Sequence, residues 1–131
     1  RQMCIRDRYS RLGVNNDLFD NMRSIQRVIA PAKDAYTKYD EIMEWARKLG
    51  KGKLILIALG QTATALAYDL AREGFWAIDT GHLDVEYEWF LRKAKDKIKI
   101  SGKHVNEAKY IPVHEEFHDE AYENQIVARV L

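Results

Sequence analysis

Branched apolar residues fill positions 54–59, LILIAL, and stop at Gly60, after which apolar positions recur at intervals of three and four: Ala63, Leu66, Ala67, Leu70 and Ala71. This pattern predicts a buried-type strand, a tight turn and a helix. After Gly74 a second short apolar run, 75–78, ends in Asp79, and the polar loop beyond it carries His82, Asp84 and Glu86. Upstream, Tyr39, Ile42, Met43, Ala46 and Leu49 share one helical face, with Thr37 and Asp40 as a capping pair and Gly50 as the stop. Ile25, Val28 and Ile29 predict a strand over 24–30 that Pro31 ends. The spacing of Leu18, Phe19 and Met22 predicts a short helix over 15–22. Downstream come a charged helix over about 85–97, a short strand over 98–100, a turn at Gly102, an acidic stretch and an amphipathic segment over 122–130.

Strands alternating with helices at this spacing imply βαβ units, hence an α/β fold with a mainly parallel sheet flanked by helices. Both polar clusters then fall beyond the carboxyl ends of strands, the edge where open α/β sheets bind ligands. The pattern contains only three or four strands, fewer than a doubly wound sheet usually has, so the sheet reads as incomplete at its N-terminus. The opening RQMCIRDRY has no strand or helix period and no initiator methionine, and it looks like read-through of a sequencing adapter. Residues 1–9 are therefore read as a non-native or disordered lead, leaving 10–131 as part of a single domain.

The 131 residues are 47% apolar and 31% charged, which suits a globular domain with a real core. Twenty-one basic residues against twenty acidic ones leave a net charge of +1, so no global field argues for nucleic acid or an anionic membrane. A single cysteine, Cys4, excludes an internal disulfide, and no signal peptide or transmembrane segment is evident. These features point to the cytoplasm. An incomplete parallel sheet would also leave an apolar strand edge open to self-association.

Three constellations carry candidate chemistry. In GQTAT, 60–64, Gly60 lets the backbone approach a ligand, the helix start offers N–H groups to a phosphate, and Thr62 and Thr64 add hydroxyls; Thr62 serving only as a helix N-cap is the plainer account. In HLDVE, 82–86, Asp84 and Glu86 alternate around Val85, so in an extended backbone both carboxylates face one way and can share a hard divalent cation, with His82 as a further candidate ligand. The plainer account makes Asp84 an N-cap, with Glu86 and Glu88 favoured by the helix dipole. In HEEFH, His114 and His118 match the HExxH pattern of zinc hydrolases, but acidic neighbours and only thirteen remaining residues argue for a solvated loop.

Four blocks, SRLGVNNDLFDN, SIQRVIAPAKDAYTKYDEI, LILIALGQTATALAYDL and AIDTGHLDVEYEWF, closely resemble the GT-D-fold glycosyltransferases, bacterial enzymes first catalogued as a domain of unknown function. The resemblance runs from Ser10 to about Asn106 and implies a Rossmann-like enzyme that transfers a hexose from a UDP-sugar to a glycan or glycoprotein acceptor, such as a surface adhesin, with a divalent metal, manganese. By that resemblance Asp84 and Glu86 are the DxE carboxylates, and Gly60, Thr62 and Thr64 belong to the loop that meets the nucleotide diphosphate. Arg11, Gly13, Asn16 and Asp17 match another polar block near the site. Gln61 and Asn15 depart from the family pattern, which has Pro and Gly there. Members are roughly twice this length, so the chain reads as the C-terminal half of the domain. The catalytic base stays open, with Asp79 and Asp17 as candidates beside a carboxylate elsewhere. The rival from another class is a non-catalytic nucleotide or nucleotide-sugar binding module; an HExxH zinc hydrolase is third.

Overall fold

In the computed structural model, which describes residues 2–7, 11–96 and 119–131, the branched residues of the prediction do form strands. They are β2 (Ile25–Ala30), β3 (Leu54–Ala58) and β4 (Trp76–Asp79), joined by β1 (Gln2–Asp7) and β5 (Ile126–Arg129) in one sheet. Every neighbouring pair is parallel, in the order β4-β3-β1-β2-β5. The helices are α1 (Tyr39–Gly50), α2 (Gln61–Arg72), α3 (Leu83–Leu91) and the short α4 (Glu120–Gln125). This is the expected α/β architecture with a parallel sheet flanked by helices.

Residues 1–9, set aside as a lead, are where the sequence reading fails most. Gln2–Asp7 is the central strand, with Cys4 and Ile5 fully buried. The apolar run inside QMCIRD is only three residues long and flanked by polar ones, too short to show a strand period. The burial comes from lying between β2 and β3 with both faces covered, Ile5 aligning with Val28 on one side and Ile57 on the other.

Those aligned residues face α1 and α2, where Ile42, Met43, Ala46, Ala63, Leu66 and Leu70 complete the main core. The opposite face carries Cys4 and Leu56, covered by Leu12 and Phe19 of the β1–β2 connection. That connection is not the helix expected over 15–22. It is a succession of turns, closed by Val14 N–H to Arg11 O, Asp20 N–H to Asp17 O and Met22 N–H to Phe19 O, with Gly13 and Asn15 at positive φ. Left-handed residues interrupt any continuous helix.

Helix ends differ from expectation for identifiable reasons. Thr37 does not cap α1; it lies in a 3-10 turn, Ala35–Lys38, and its hydroxyl donates to Asp34 O at 2.8 Å. Gly50 is the last residue of α1 and is required by space, since a Cβ there would lie 2.5 Å from Ile55 Cδ1. Gly74 does act as a left-handed stop: φ is +88°, its N–H reaches Ala71 O and the N–H of Phe75 reaches Leu70 O, the paired bonds of a Schellman motif. The expected strand over 98–100, the turn at Gly102 and the HEEFH stretch lie outside the described residues.

The chain order creates a switch point. From β1 the chain moves to β2 on one side, then crosses back through α1 to β3, which continues through α2 to β4 on the other side. The connections leaving β1 and β3 therefore diverge, opening a crevice at their carboxyl ends.

Candidate functional site

The crevice is lined by the connections that leave β1, β3 and β4. After β3, Gly60 is the N-cap of α2 with φ +54° and ψ −140°, a conformation few residues but glycine adopt, and nothing lies within 4 Å of where its Cβ would be. The backbone is thus open to a ligand at a helix start. The helix begins at Gln61, so Thr62 sits inside its first turn and is not the N-cap. Thr64 turns across to β4, its hydroxyl donating to Asp79 Oδ2 at 2.8 Å, while Asp79 Oδ1 accepts from the N–H of Gly81 at 2.9 Å. Thr80 pins the same exit to β3 through its N–H to Ile57 O, 2.8 Å.

Three residues on, the chain enters α3 earlier than expected, and this changes the geometry of the acidic pair. Asp84 and Glu86 lie in the first turn of a helix, not in an extended segment. Two helical positions are about 200° apart, so the carboxylates diverge. Asp84 is 4% exposed, whereas Glu86 faces solvent. The carboxylate that shares Asp84's face is Glu88, four residues on and 5% exposed.

Asp84 is not the N-cap of α3, a position that His82 occupies. Its Oδ1 accepts from the N–H of Gly13 at 2.7 Å and from Asn16 Nδ2 at 3.2 Å, and the same Asn16 nitrogen donates to Glu88 Oε1 at 2.9 Å. Asn16 is itself held by Leu18 N–H donating to its Oδ1, 3.1 Å. Asp17 accepts from the Tyr87 hydroxyl at 2.6 Å, a bond that, together with partial burial, raises the phenol above its ordinary pKa. Arg92 approaches Glu88 at 3.5 Å.

Of the residues singled out in sequence, Thr64, just after Gly60, bonds Asp79, and Gly13 and Asn16 bond Asp84, so the 79–84 connection ties the start of α2 to the 13–16 turns, while Asp17 meets α3 through Tyr87. Arg11 is half-buried at the start of the turns, and its carbonyl accepts from Val14 N–H. His82 is exposed immediately before α3, and its carbonyl accepts from Glu86 N–H. His114 and His118 lie outside the described residues. Sequence reasoning took Glu88 only as a residue favoured by the helix dipole and missed Tyr87, although the helical register from Asp84 flags both, and it missed Arg27, a lone cation in the strand IQRVIA.

No group of three or more His, Cys, Asp or Glu side chains is gathered for a metal among the described residues. The donors present are nevertheless hard oxygens suited to a Mg2+- or Mn2+-type ion: the buried Asp84, its facial neighbour Glu88 and the exposed Glu86. No helix among the described residues is long and apolar enough to cross a membrane.

Comparison with known proteins bears on the family and the fold. Residues 1–108 match the family model "Glycosyltransferase GT-D fold". The chain is 49% identical over 121 residues to "Probable glycosyl transferase Gly" of Streptococcus gordonii and 45% identical over 122 residues to "Glycosyltransferase GlyD" of Streptococcus pneumoniae serotype 4. It covers only 18% and 15% of those proteins. Among solved structures it is similar to one described as "The highly conserved domain of unknown function 1792 has a distinct glycosyltransferase fold", at TM-score 0.93 and 43% identity, covering 98% of this chain and 47% of that one. A second, "A New Glycosyltransferase (DUF1792) from Streptococcus sanguinis", gives TM-score 0.93 at 45% identity, covering 99% of this chain and 48% of that one.

Proposed function

The chain belongs to the glycosyltransferases of GT-D fold, and from that premise we propose that it serves transfer of a hexose from a UDP-sugar to a glycan or glycoprotein acceptor, such as a surface adhesin. The transfer would use a divalent cation, manganese, in a cytoplasmic setting. One observation supports the donor site above the others: a buried carboxylate, Asp84, is fixed by a backbone N–H and a side-chain amide at the carboxyl edge of a parallel sheet, five residues beyond the Asp79 that bonds Thr64 of α2.

In this reading the exposed backbone at Gly60 and the N–H groups at the very start of α2, before Ala63, whose N–H is bonded to Gly60 O, receive the diphosphate. Thr64 is oriented by Asp79, which fixes the hydroxyl at the mouth of the crevice. Asp84 would hold the cation together with one of its two neighbours, Glu86 or Glu88, and the ion when bound would neutralise charge developing on the departing nucleotide. Gly13 and Asn16 keep Asp84 in place, and Arg11 and Asp17 belong to the same wall. Neither Asp79 nor Asp17 is assigned as catalytic base, because each carboxylate is engaged in holding a neighbour, Thr64 and Tyr87 respectively.

The test is calorimetric titration of Mn2+ and UDP onto the chain, with UDP-hexose turnover measured alongside. Asp84→Asn should keep the bonds from Gly13 and Asn16 yet weaken Mn2+ by at least about tenfold, and Glu86→Gln and Glu88→Gln separate the two possible partners of Asp84. Unchanged Mn2+ affinity in Asp84→Asn defeats the assignment. UDP binding without any metal requirement or turnover would favour the non-catalytic nucleotide-sugar module.

A further inference from the structure

The side of the sheet opposite α1 and α2 holds a charge that the donor site does not use. Arg27, in β2, is 2% exposed and forms no ion pair among the described residues. Burial lowers its pKa, so the guanidinium occupies a place that an apolar side chain would fill at less desolvation cost. Its role there is to bridge three segments. Its Nη1 donates to Leu12 O at 2.8 Å, its Nε donates to Gln125 Oε1 at 2.7 Å, and its plane lies over the Tyr122 ring at 4.9 Å and the Phe19 ring at 5.8 Å. Leu12 directly precedes Gly13, whose N–H donates to Asp84. Gln125 and Tyr122 belong to α4, beyond the stretch that the family model matches.

We propose that Arg27 is a positioning residue: tethered by Gln125 of α4, it fixes the Leu12 carbonyl so that the adjoining Gly13 N–H and Asn16 side chain meet Asp84. The geometry is a short relay of rigid parts. Arg27 sets the Leu12 carbonyl, and because that carbonyl and the Gly13 N–H belong to one planar trans peptide unit, the N–H is fixed in the opposite direction, onto Asp84. Phe19 closes the arrangement from both sides, covering Arg27 and abutting Gly13 so closely that a Cβ there would lie 2.4 Å from its ring. The C-terminal segment thereby reaches the donor site without touching a ligand. The functional half of this inference rests on the donor-site reading; the structural half does not.

Amide hydrogen exchange on the full chain tests it without metal or nucleotide. Arg27→Met should speed exchange of the Gly13 amide by at least about tenfold while the β3 amides of Ile55 and Ile57 stay protected, and Arg27→Lys, which keeps a donor toward Leu12, should recover part of the protection. Mn2+ titration comes next, weakening by a factor of about ten or more in Arg27→Met, as for other residues that orient a ligand. Gln125→Leu removes only the tether and is the deciding variant if Arg27→Met does not fold; it should speed Gly13 exchange in the same direction. Unchanged Gly13 exchange in a folded variant overturns the proposal, as does unchanged Mn2+ affinity when the wild type binds the ion. A wild type that binds no Mn2+ sinks the donor-site reading instead, and the exchange result alone then decides the positioning role.

Discussion

Replacing Gly13 by alanine separates two costs that usually arrive together. The residue sits at φ +75°, and holding a side-chain-bearing residue in the left-handed region costs about 1 to 2 kcal/mol. A Cβ would also stand 2.4 and 2.7 Å from the Cδ2 and Cε2 carbons of Phe19, itself buried between the turns and Arg27. Forcing that ring aside is overpacking, worth about 1 to 3 kcal/mol. The sum is roughly 2 to 5 kcal/mol, a large fraction of a small domain's stability. Gly60→Ala is the matched control, since it is strained at φ +54° but has nothing within 4 Å, leaving strain alone at about 1 to 3 kcal/mol. Urea unfolding of both variants and the wild type gives the difference, expected at about 1 kcal/mol or more. In a Phe19→Leu background the excess cost of Gly13→Ala should shrink toward that of Gly60→Ala. Equal losses for the two glycines, or an excess that survives loss of the ring, would refute the steric reasoning.

Leu66→Ala should cost about 2 to 5 kcal/mol by thermal or urea melts, because the side chain is fully buried between α2 and the sheet and its loss leaves a cavity. Glu73 is held below its ordinary pKa of 4.5 chiefly by hydrogen bonds from Arg47. The folded state then binds fewer protons than the unfolded chain, so this contribution is whole above pH 4.5 and is lost as pH falls through the lowered value. Glu73→Gln should accordingly show a shallower decline of the urea midpoint through that range, and an identical decline would contradict the pairing. On edge strand β4, Trp76 is 67% exposed and Ile78 is 42% exposed, both on the face away from α2. An exposed apolar edge invites pairing between chains, so Ile78→Lys should reduce the mass of the chain seen by light scattering at high concentration; unchanged self-association would place the contact elsewhere.

The elements legible in the sequence are those whose own residues carry their burial. Positions 54–58 are apolar throughout because β3 is covered on both faces, and the three-and-four spacing of Ala63, Leu66 and Leu70 is the buried stripe of α2. Ile42, Met43 and Ala46 announce α1 in the same way. Gly74 is readable as a stop because left-handed geometry selects glycine locally. From these pieces come the alternation of strand and helix, the parallel sheet and the polar edge.

Decisions left to the tertiary structure are those that depend on a partner distant in sequence. Gln2–Asp7 is a strand because β2 and β3 lie on either side of it, a fact that no local period in QMCIRD records. The 11–22 segment is turns because it must cover Cys4 and Leu56 while bringing Gly13 to Asp84, seventy-one positions away. Asp84 and Glu86 look like a matched pair in extended chain, but the helix that begins at Leu83 turns them apart and puts Glu88 beside Asp84. Arg27 carries no signal in IQRVIA until Leu12 and Gln125 supply acceptors that make its burial tolerable. Periodicity reports which face of an element is buried; the pairing of polar groups across elements is set by where the chain folds back, and only the assembled sheet brings those groups within hydrogen-bonding distance.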